Sequence, residues 1–160
     1  MADASYNNMI RTTHRMIDGY NQWDIDAMIA NRTPDCVTEI LPKSMGREPM
    51  NNNEYRLYFA SVMSMFKSFT VIIESEMYDV QTNRAALHIR SVAQTPVGSY
   101  SNEYAFFLKF DHDCNKISRF EEMVDSKYTV EHLLELRSHL RKHRGDWEAA
   151  WADTGSRARL

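Results

Sequence analysis

Hydrophobic residues recur at intervals of three and four along the first part of the chain and again near its end, a pattern that predicts amphipathic helices. In the first helix, Met9, Met16 and Tyr20 fall on one face. Asp24 and the asparagines at 51–53 stand where helix N-caps are expected. The predicted helices span residues 5–21, 24–31, 54–67 and 129–143.

Between residues 69 and 125 the hydrophobic period changes to two, which predicts β-strands joined by short turns. The predicted strands span residues 69–78, 84–94, 99–110 and 117–125, and a shorter strand spans residues 36–41. Consecutive strands with short turns form an antiparallel meander. The order of helices, meander and last helix predicts an α+β fold, in which the helices close one side of a curved sheet and leave a cone with an apolar interior.

The composition narrows the class of protein. The chain has 160 residues, 43% of them hydrophobic, and a net charge of −3, which argues against nucleic acid as a partner because phosphate binding needs a basic surface. No apolar run is long enough to cross a membrane, and the N-terminus lacks a secretory signal. Cys36 and Cys114 form neither a metal pattern nor a disulfide framework. We expect a cytoplasmic protein with one domain over residues 1–145 and a partly disordered extension over residues 146–160.

Acidic residues in the last predicted strand are the first candidates for chemistry, because an isolated carboxylate is costly to bury. Glu122 alternates with Phe120 and Val124 and should point with them into the cone, while Glu121 faces out. Burial would raise the pKa of Glu122 and suit it to acid–base catalysis near neutral pH. The alternative is a core acid paired with an arginine. Asp125, at the end of the strand, either joins this site or caps the last helix.

Glu39 is a further candidate whose orientation the sequence leaves open. If Val37 and Leu41 face the core, Glu39 lies in the cone beside Glu122 and the two acids form a pair with split pKa values. If the intervening residues face the core, Glu39 faces water.

The orientation of His88 depends on strand register. A turn at residues 97–98 would place Ile89 near Phe106, direct Tyr104 and Phe106 inward, and leave His88 on the outer face. A slip of one residue would reverse these faces, and His88 would then be a proton carrier inside the cone.

Tyr20 and Tyr58 lie on the inner faces of their predicted helices. Each could donate a hydrogen bond to a substrate carbonyl or enolate. An ordinary buried tyrosine with a backbone partner is the alternative for either residue. The sequence has no glycine-rich phosphate loop, no nucleophile elbow and no metal-ligand spacing, so an enzyme of this sequence is expected to use acid–base chemistry without a cofactor or metal.

Four segments carry a resemblance to a known family. They are MIDGYNQWDIDAMIA, CVTEILP, MFKSF at the end of the third helix, and KISRFEEMVDS. Between about Met9 and Leu136 the chain resembles the SnoaL-like family of the nuclear-transport-factor-2-like (NTF2-like) superfamily. The pairing of EILP with FEEMVDS is similar to fungal SnoaL-like isomerases and cyclases of polyketide and meroterpenoid biosynthesis.

The resemblance implies a cone-shaped barrel, a homodimer packed through its sheet, and a cofactor-free site for acid–base chemistry on a carbonyl-bearing polycyclic substrate. It also places an acid near the cone mouth, where Asp125 stands. The dipeptide Tyr20–Asn21 is similar to the start of scytalone dehydratase, although that family has an acid at the second position.

The sequence therefore favours a cofactor-free isomerase or cyclase that acts on a polycyclic polyketide or meroterpenoid. Its expected catalytic residues are Glu122, Asp125, Glu39 and His88, and its expected substrate-binding residues are Tyr20, Tyr58, Tyr104, Phe106, Phe120 and Val124. Two alternatives remain open. A dehydratase of the scytalone type would bring Tyr20, Tyr58 and His88 together, and a non-catalytic module would have arginines that neutralise its inward acids.

Overall fold

A computed structural model describes residues 2–142, which form four helices, one short 3-10 turn and five strands. The helices are α1 (Ala2–Asn21), α2 (Ile25–Ile29), α3 (Asn52–Met63) and α4 (Ser126–Lys142), and the 3-10 turn spans Lys43–Met45. The strands are β1 (Arg32–Leu41), β2 (Ser68–Asp79), β3 (Arg84–Thr95), β4 (Gly98–Phe110) and β5 (Ile117–Val124). The predicted extension over residues 146–160 lies outside the described residues.

Side-chain caps define where two of the helices begin, as the sequence predicted. The Asp24 carboxylate accepts hydrogen bonds from the backbone N–H groups of the first turn of α2. At α3, Asn51 and Glu54 form a capping box, in which each side chain accepts from the other residue's backbone. Helix α3 ends four residues earlier than predicted because the chain turns after Ser64 and directs Phe66 into a second apolar cluster.

The strands form one curved, unclosed sheet in the order β1-β5-β4-β3-β2. Strands β2 to β5 make the predicted antiparallel meander, and the α+β class is confirmed. Strand β1 adds a parallel pairing with β5 that the sequence did not reveal. It also begins at Arg32, four residues earlier than expected, because an irregularity between Arg32 and Val37 accommodates Pro34 at the sheet edge.

The predicted register between β3 and β4 was wrong by two residues. The turn consists of Pro96 and Val97, with Thr95 paired to Gly98, so Ile89 lies opposite Tyr104 instead of Phe106. A shift of two residues preserves the faces of a strand. The inward direction of Ile89, Tyr104 and Phe106 is therefore confirmed.

The core lies between the inner face of the sheet and helices α1 to α3. Trp23, in the corner between α1 and α2, stacks on Phe69 with ring centroids 4.7 Å apart. Helix α4 covers one end of the sheet through Leu136, which packs in the second apolar cluster with Phe66 and Tyr100. Among residues 2–142, no helix combines the length and the apolar character that crossing a membrane requires.

Candidate active site

A cavity of about 80 Å³ lies between the inner face of the sheet, α1, α3, α4 and the loop that follows β1. Its walls are largely aromatic and aliphatic, and they include Phe59, Phe66, Phe69 and Phe106. The polar groups that reach it are Tyr20, Tyr58, Tyr100, Tyr104, Glu122 and Thr129, and Arg47 lies at its rim. An apolar cavity with a few convergent polar groups is the usual form of a small-molecule site.

Glu122 is the acid inside this cavity. It lies opposite Phe106 in the pairing of β4 with β5, so the alternation of β5 directs it inward as predicted. Burial raises the pKa of the Glu122 carboxyl from 4.5 to about 7, and the positive charge of Arg32 opposes this rise. No salt bridge to Glu122 is present among residues 2–142. Glu122 can therefore both accept and return a proton near neutral pH.

Arg32 is a buried cation beneath the cavity, and the sequence reasoning missed it. Its guanidinium lies 4.1 Å from the ring centroid of Tyr55 and 5.2 Å from that of Phe120, and Nη1 donates to the Thr38 hydroxyl at 2.8 Å. The aromatic faces and the hydroxyl offset part of the cost of burying this charge. Arg32 has the same parity as the inward-facing residues 36, 38 and 40. The irregularity between Arg32 and Val37 interrupts the alternation, so the sequence did not reveal its position on the inner face.

Two tyrosines from different helices form a buried pair at one wall. The hydroxyls of Tyr20, on α1, and Tyr55, on α3, lie 2.5 Å apart. Burial is the largest cause that raises the pKa of Tyr20 well above its usual value, and it also raises the pKa of Tyr55. Burial likewise raises the pKa of Tyr58 to about 12. All three hydroxyls are protonated at neutral pH and can serve as donors.

A second hydroxyl chain comes from the sheet. The Tyr104 hydroxyl lies 2.9 Å from Ser91 Oγ and 3.2 Å from the Tyr100 hydroxyl. Tyr104 is paired with Val124 on the adjacent strand, and Glu122 lies two residues before Val124. Tyr104 and Glu122 are therefore diagonal neighbours on the same face of the sheet, and the backbones of such residues are about 7 Å apart. Tyr100 was missed by the sequence reasoning, although its parity on β4 matches that of Tyr104.

The three apolar residues predicted to bind substrate differ in whether they reach the cavity surface. Phe106 and Val124 line the cavity beside Tyr104. Phe120 is fully buried behind it, with its ring 4.8 Å from that of Phe106 in an edge-to-face contact. Phe120 therefore supports the wall and does not form its surface.

Glu39 is not inside the cavity. Thr38 and Ile40 face the core, so Glu39 lies on the outer face, where Arg119 Nη2 donates to its carboxylate at 2.6 Å. Arg119 Nε also donates to Glu121 at 3.2 Å, and Glu121 faces outward as predicted. The expected pairing of Glu39 with Glu122 is corrected, because the edge strand presents its other face to the interior.

His88 and Asp125 also lie away from the cavity. His88 is on the outer face, half exposed, with Nε2 3.5 Å from the Glu103 carboxylate. The trio of tyrosines and histidine expected of a scytalone-type dehydratase is therefore not brought together. Asp125 is exposed, and its carboxylate accepts from the backbone N–H of Tyr128 at 3.1 Å, as a cap of α4 does. Within residues 2–142 no three His, Cys, Asp or Glu side chains are grouped to hold a metal ion.

Comparison with known proteins places the chain among fungal relatives. It is 30% identical over 129 residues to the monooxygenase nsrQ of Aspergillus novofumigatus, and the aligned region covers 81% of this chain and 85% of the relative. It is 31% identical over 121 residues to the austinoid biosynthesis clusters protein F of Emericella nidulans, and the aligned region covers 74% of this chain and 68% of the relative. No protein-family model matches the chain.

Solved structures show the same fold. The BvnE pinacolase from Penicillium brevicompactum superposes with a TM-score of 0.79 at 28% identity, over 84% of this chain and 94% of that one. A SnoaL-like polyketide cyclase from Shewanella denitrificans has a TM-score of 0.65 at 10% identity, over 79% of this chain and 97% of that one, which shows the fold alone. With fungal relatives at 30% and 31% identity matched over more than two thirds of their length, the chain belongs to the same family as these fungal proteins, and it has the fold of the SnoaL-like polyketide cyclase.

Proposed function

We propose that this protein is a cofactor-free isomerase or cyclase of secondary metabolism, acting on a polycyclic polyketide or meroterpenoid intermediate. One observation carries the proposal: a carboxyl group with a pKa of about 7 inside an apolar cavity, at Glu122. The names of similar proteins, a pinacolase and the austinoid cluster proteins, support an enzyme of this fold in such pathways. The non-catalytic alternative is disfavoured because the described chain has no salt bridge to Glu122, and because the pKa of that carboxyl stays raised to about 7 although the charge of Arg32 lowers it.

In the proposed reaction the Glu122 carboxylate removes a proton from the carbon beside a substrate carbonyl. The carbonyl oxygen becomes an enolate, and tyrosine hydroxyls donate hydrogen bonds to it. Tyr20, Tyr58 and Tyr104 line the cavity, and each keeps its proton because burial raises its pKa. Tyr20 and Tyr104 can donate to the enolate when their partners, Tyr55 and Ser91, supply the hydrogen of the bond that joins the two hydroxyls. The protonated Glu122 then returns its proton at another carbon. These steps move a double bond without net oxidation. In a cyclisation the enolate carbon instead attacks a second carbonyl carbon of the substrate, and the protonated Glu122 gives its proton to the oxygen of that carbonyl.

The aromatic walls suit a flat, fused-ring substrate, which would stack against Phe59 and Phe106. The cavity, at about 80 Å³, is smaller than the roughly 300 Å³ or more of typical ligand pockets. We expect the rim to widen on binding. The rim is formed by Met45 and Arg47, in the loop after β1, and by Leu133, on α4, all of which are at least partly exposed.

A second candidate function follows from the names of several relatives, which are monooxygenases. An enolate or phenolate formed at Glu122 is electron-rich, and its carbon can bond to dioxygen to give a hydroperoxide. Loss of water from the hydroperoxide leaves a carbonyl at that carbon, so one oxygen atom enters the product and the other leaves as water. This reaction would need the same proton removal as isomerisation. The two functions are separated by whether dioxygen is consumed.

The test is proton exchange in heavy water with a panel of polycyclic β-dicarbonyl compounds. The wild type is compared with Glu122→Gln and with Glu121→Gln, which changes the neighbouring acid on the outer face. We expect deuterium incorporation by the wild type and by Glu121→Gln, and a loss of at least about 100-fold for Glu122→Gln. An oxygen electrode in the same reactions detects the second candidate function.

Exchange that survives Glu122→Gln would contradict the assignment of the base. Absence of exchange with a compound that binds would contradict the enolising mechanism and favour a binding module. Oxygen uptake that depends on Glu122 would show that the reaction is an oxygenation and not an isomerisation, and Glu122 would remain the assigned base.

A further inference from the structure

Asn102 is a buried polar side chain on the inner face of β4, only 3% exposed. Its Oδ1 accepts a hydrogen bond from the backbone N–H of Glu103 at 2.9 Å. A backbone N–H can only donate. This contact therefore fixes which end of the amide is the oxygen and which end is the nitrogen.

The amide nitrogen of Asn102 uses both of its hydrogens on hydroxyl groups. Nδ2 donates to the Tyr100 hydroxyl and to Thr129 Oγ1, each at 2.8 Å. Both hydroxyls act as acceptors toward Asn102. Because a hydroxyl has a single hydrogen, each must direct that hydrogen away from Asn102.

The hydrogen of Tyr100 points away from Asn102. One acceptor for it is the Tyr104 hydroxyl, 3.2 Å away, and in the arrangement proposed below Tyr100 donates to Tyr104. Tyr104 then has its own hydrogen to donate, either to Ser91 Oγ at 2.9 Å or into the cavity that it lines. When an acceptor oxygen occupies the cavity, Ser91 can rotate and donate to Tyr104, which leaves the Tyr104 hydrogen for the ligand.

We propose that Asn102 is a positioning residue that makes the hydroxyl of Tyr104 a hydrogen-bond donor toward the cavity, so that this end of the cavity selects a ligand with a ketone or quinone oxygen. The proposal takes the cavity as the substrate site proposed above. Tyr104 and Thr129 both line the cavity, as does Glu122. A carbonyl held by Tyr104 would place its neighbouring carbon on the side of Glu122.

The probe is 9-fluorenone, which has no hydrogen on the carbons beside its carbonyl and cannot be enolised. Its carbonyl infrared band moves to lower frequency when the oxygen accepts a hydrogen bond. We expect a low-frequency band for fluorenone bound to excess wild-type protein. In Asn102→Asp, ionisation of the introduced carboxyl turns the two amide donors into acceptors. Tyr100 then donates to that carboxylate and draws the hydrogen of Tyr104 toward itself.

The bound band of Asn102→Asp should therefore move toward its position in hexane as the introduced carboxyl ionises, in spectra recorded between pH 6 and 10. The wild type over the same range controls for titration of Glu122. Adding Tyr100→Phe to Asn102→Asp breaks the reversed chain, and it should restore donation from Tyr104 and shift the band back. If Asn102 only supported the fold, adding Tyr100→Phe to Asn102→Asp would not restore the low-frequency carbonyl band.

Three results would overturn the proposal: no low-frequency band in the wild type, a wild-type band in Asn102→Asp at every pH, or no recovery in the double variant. If Asn102→Asp does not fold, Asn102→Ala removes both donors without a charge, and an unchanged band there also overturns it. Absence of deuterium exchange by the wild type, together with a low-frequency fluorenone band that depends on Asn102, would contradict the proposed function alone. Exchange with a band independent of Asn102 would contradict this inference alone.

Discussion

Glu121 and Glu122 are adjacent acids with different environments. Glu121 faces outward and accepts a hydrogen bond from Arg119, while Glu122 lies in the cavity with its pKa raised to about 7. The difference comes from the two-residue period of β5, which sends successive side chains to opposite faces. The two residues form a natural pair for experiments, because the same substitution at each changes the same charge.

The raised pKa of Glu122 predicts a pH-dependent stability. The folded chain binds this proton more tightly than the unfolded chain, so the stabilisation is complete below about pH 4.5 and is lost as the pH rises to about 7. Compared with Glu122→Gln, the free energy of unfolding of the wild type should fall by about 3 kcal/mol between pH 4.5 and 8. Urea denaturation across this range measures it.

The control for this measurement is Glu121→Gln, which removes a negative charge outside the cavity. A difference between wild type and Glu122→Gln that stays constant from pH 4.5 to 8 would show that the Glu122 carboxyl is not held in an apolar environment.

At the scale of elements, the face of each strand was predictable wherever alternation was regular, and Glu122, Tyr104 and Phe106 were placed correctly for that reason. The pairing partners of strands were harder to predict, because a parallel contact between β1 and β5 joins segments far apart in the chain. The orientations of Glu39 and Arg32 depend on that contact. The sequence therefore left the face of Glu39 open between two alternatives and did not reveal Arg32.

The Asp125 carboxylate caps helix α4 and is not placed in the cavity with Glu122. Since its carboxylate accepts from the first turn of α4, Asp125→Ala should lower the free energy of unfolding by about 1 kcal/mol. Asp125→Asn keeps a capping oxygen and should cost much less. Both values come from urea denaturation. If folded Asp125→Asn lost deuterium exchange, Asp125 would have to take part in the chemistry.

The contact between α1 and α2 depends on the absence of a side chain at Gly19. A Cβ there would lie 2.6 Å from the Met28 backbone nitrogen and 2.8 Å from Ala27 C. We expect Gly19→Ala to destabilise the fold by about 1–3 kcal/mol, because helix backbone must move to admit it. Thermal denaturation measures the change, with Asn7→Ala at an exposed position of α1 as the control. Equal melting temperatures for the two variants would contradict the expected clash.

At the scale of the whole molecule, the outer face of the sheet carries large apolar side chains in contact with solvent. Met77 is 70% exposed and Phe107 41% exposed, and they lie on adjacent parts of the sheet through their pairing with Ala86. Exposed apolar surface of this kind commonly marks an interaction site. We propose that a second copy of the chain covers it and forms a homodimer through the sheet, as the family resemblance implies.

Analytical ultracentrifugation should then show a dimer for the wild type and a monomer for Phe107→Lys. The matched control is Leu57→Lys, at a residue of α3 that is 74% exposed and lies off the sheet; it should remain dimeric. A monomeric wild type, or dissociation by both substitutions, would contradict an interface on the outer face.

The stacking of Trp23 on Phe69 has a practical consequence. Phe69 forms part of the cavity wall, and Phe59 and Phe66, which also line it, contact the same indole ring. Indole emission depends on its immediate surroundings, so an occupant that displaces these rings would change the fluorescence of Trp23. Subtracting the signal of Trp23→Phe removes the contribution of other tryptophans. The protein thus contains an intrinsic optical reporter, with which unlabelled compounds can be screened for binding before any reaction is known.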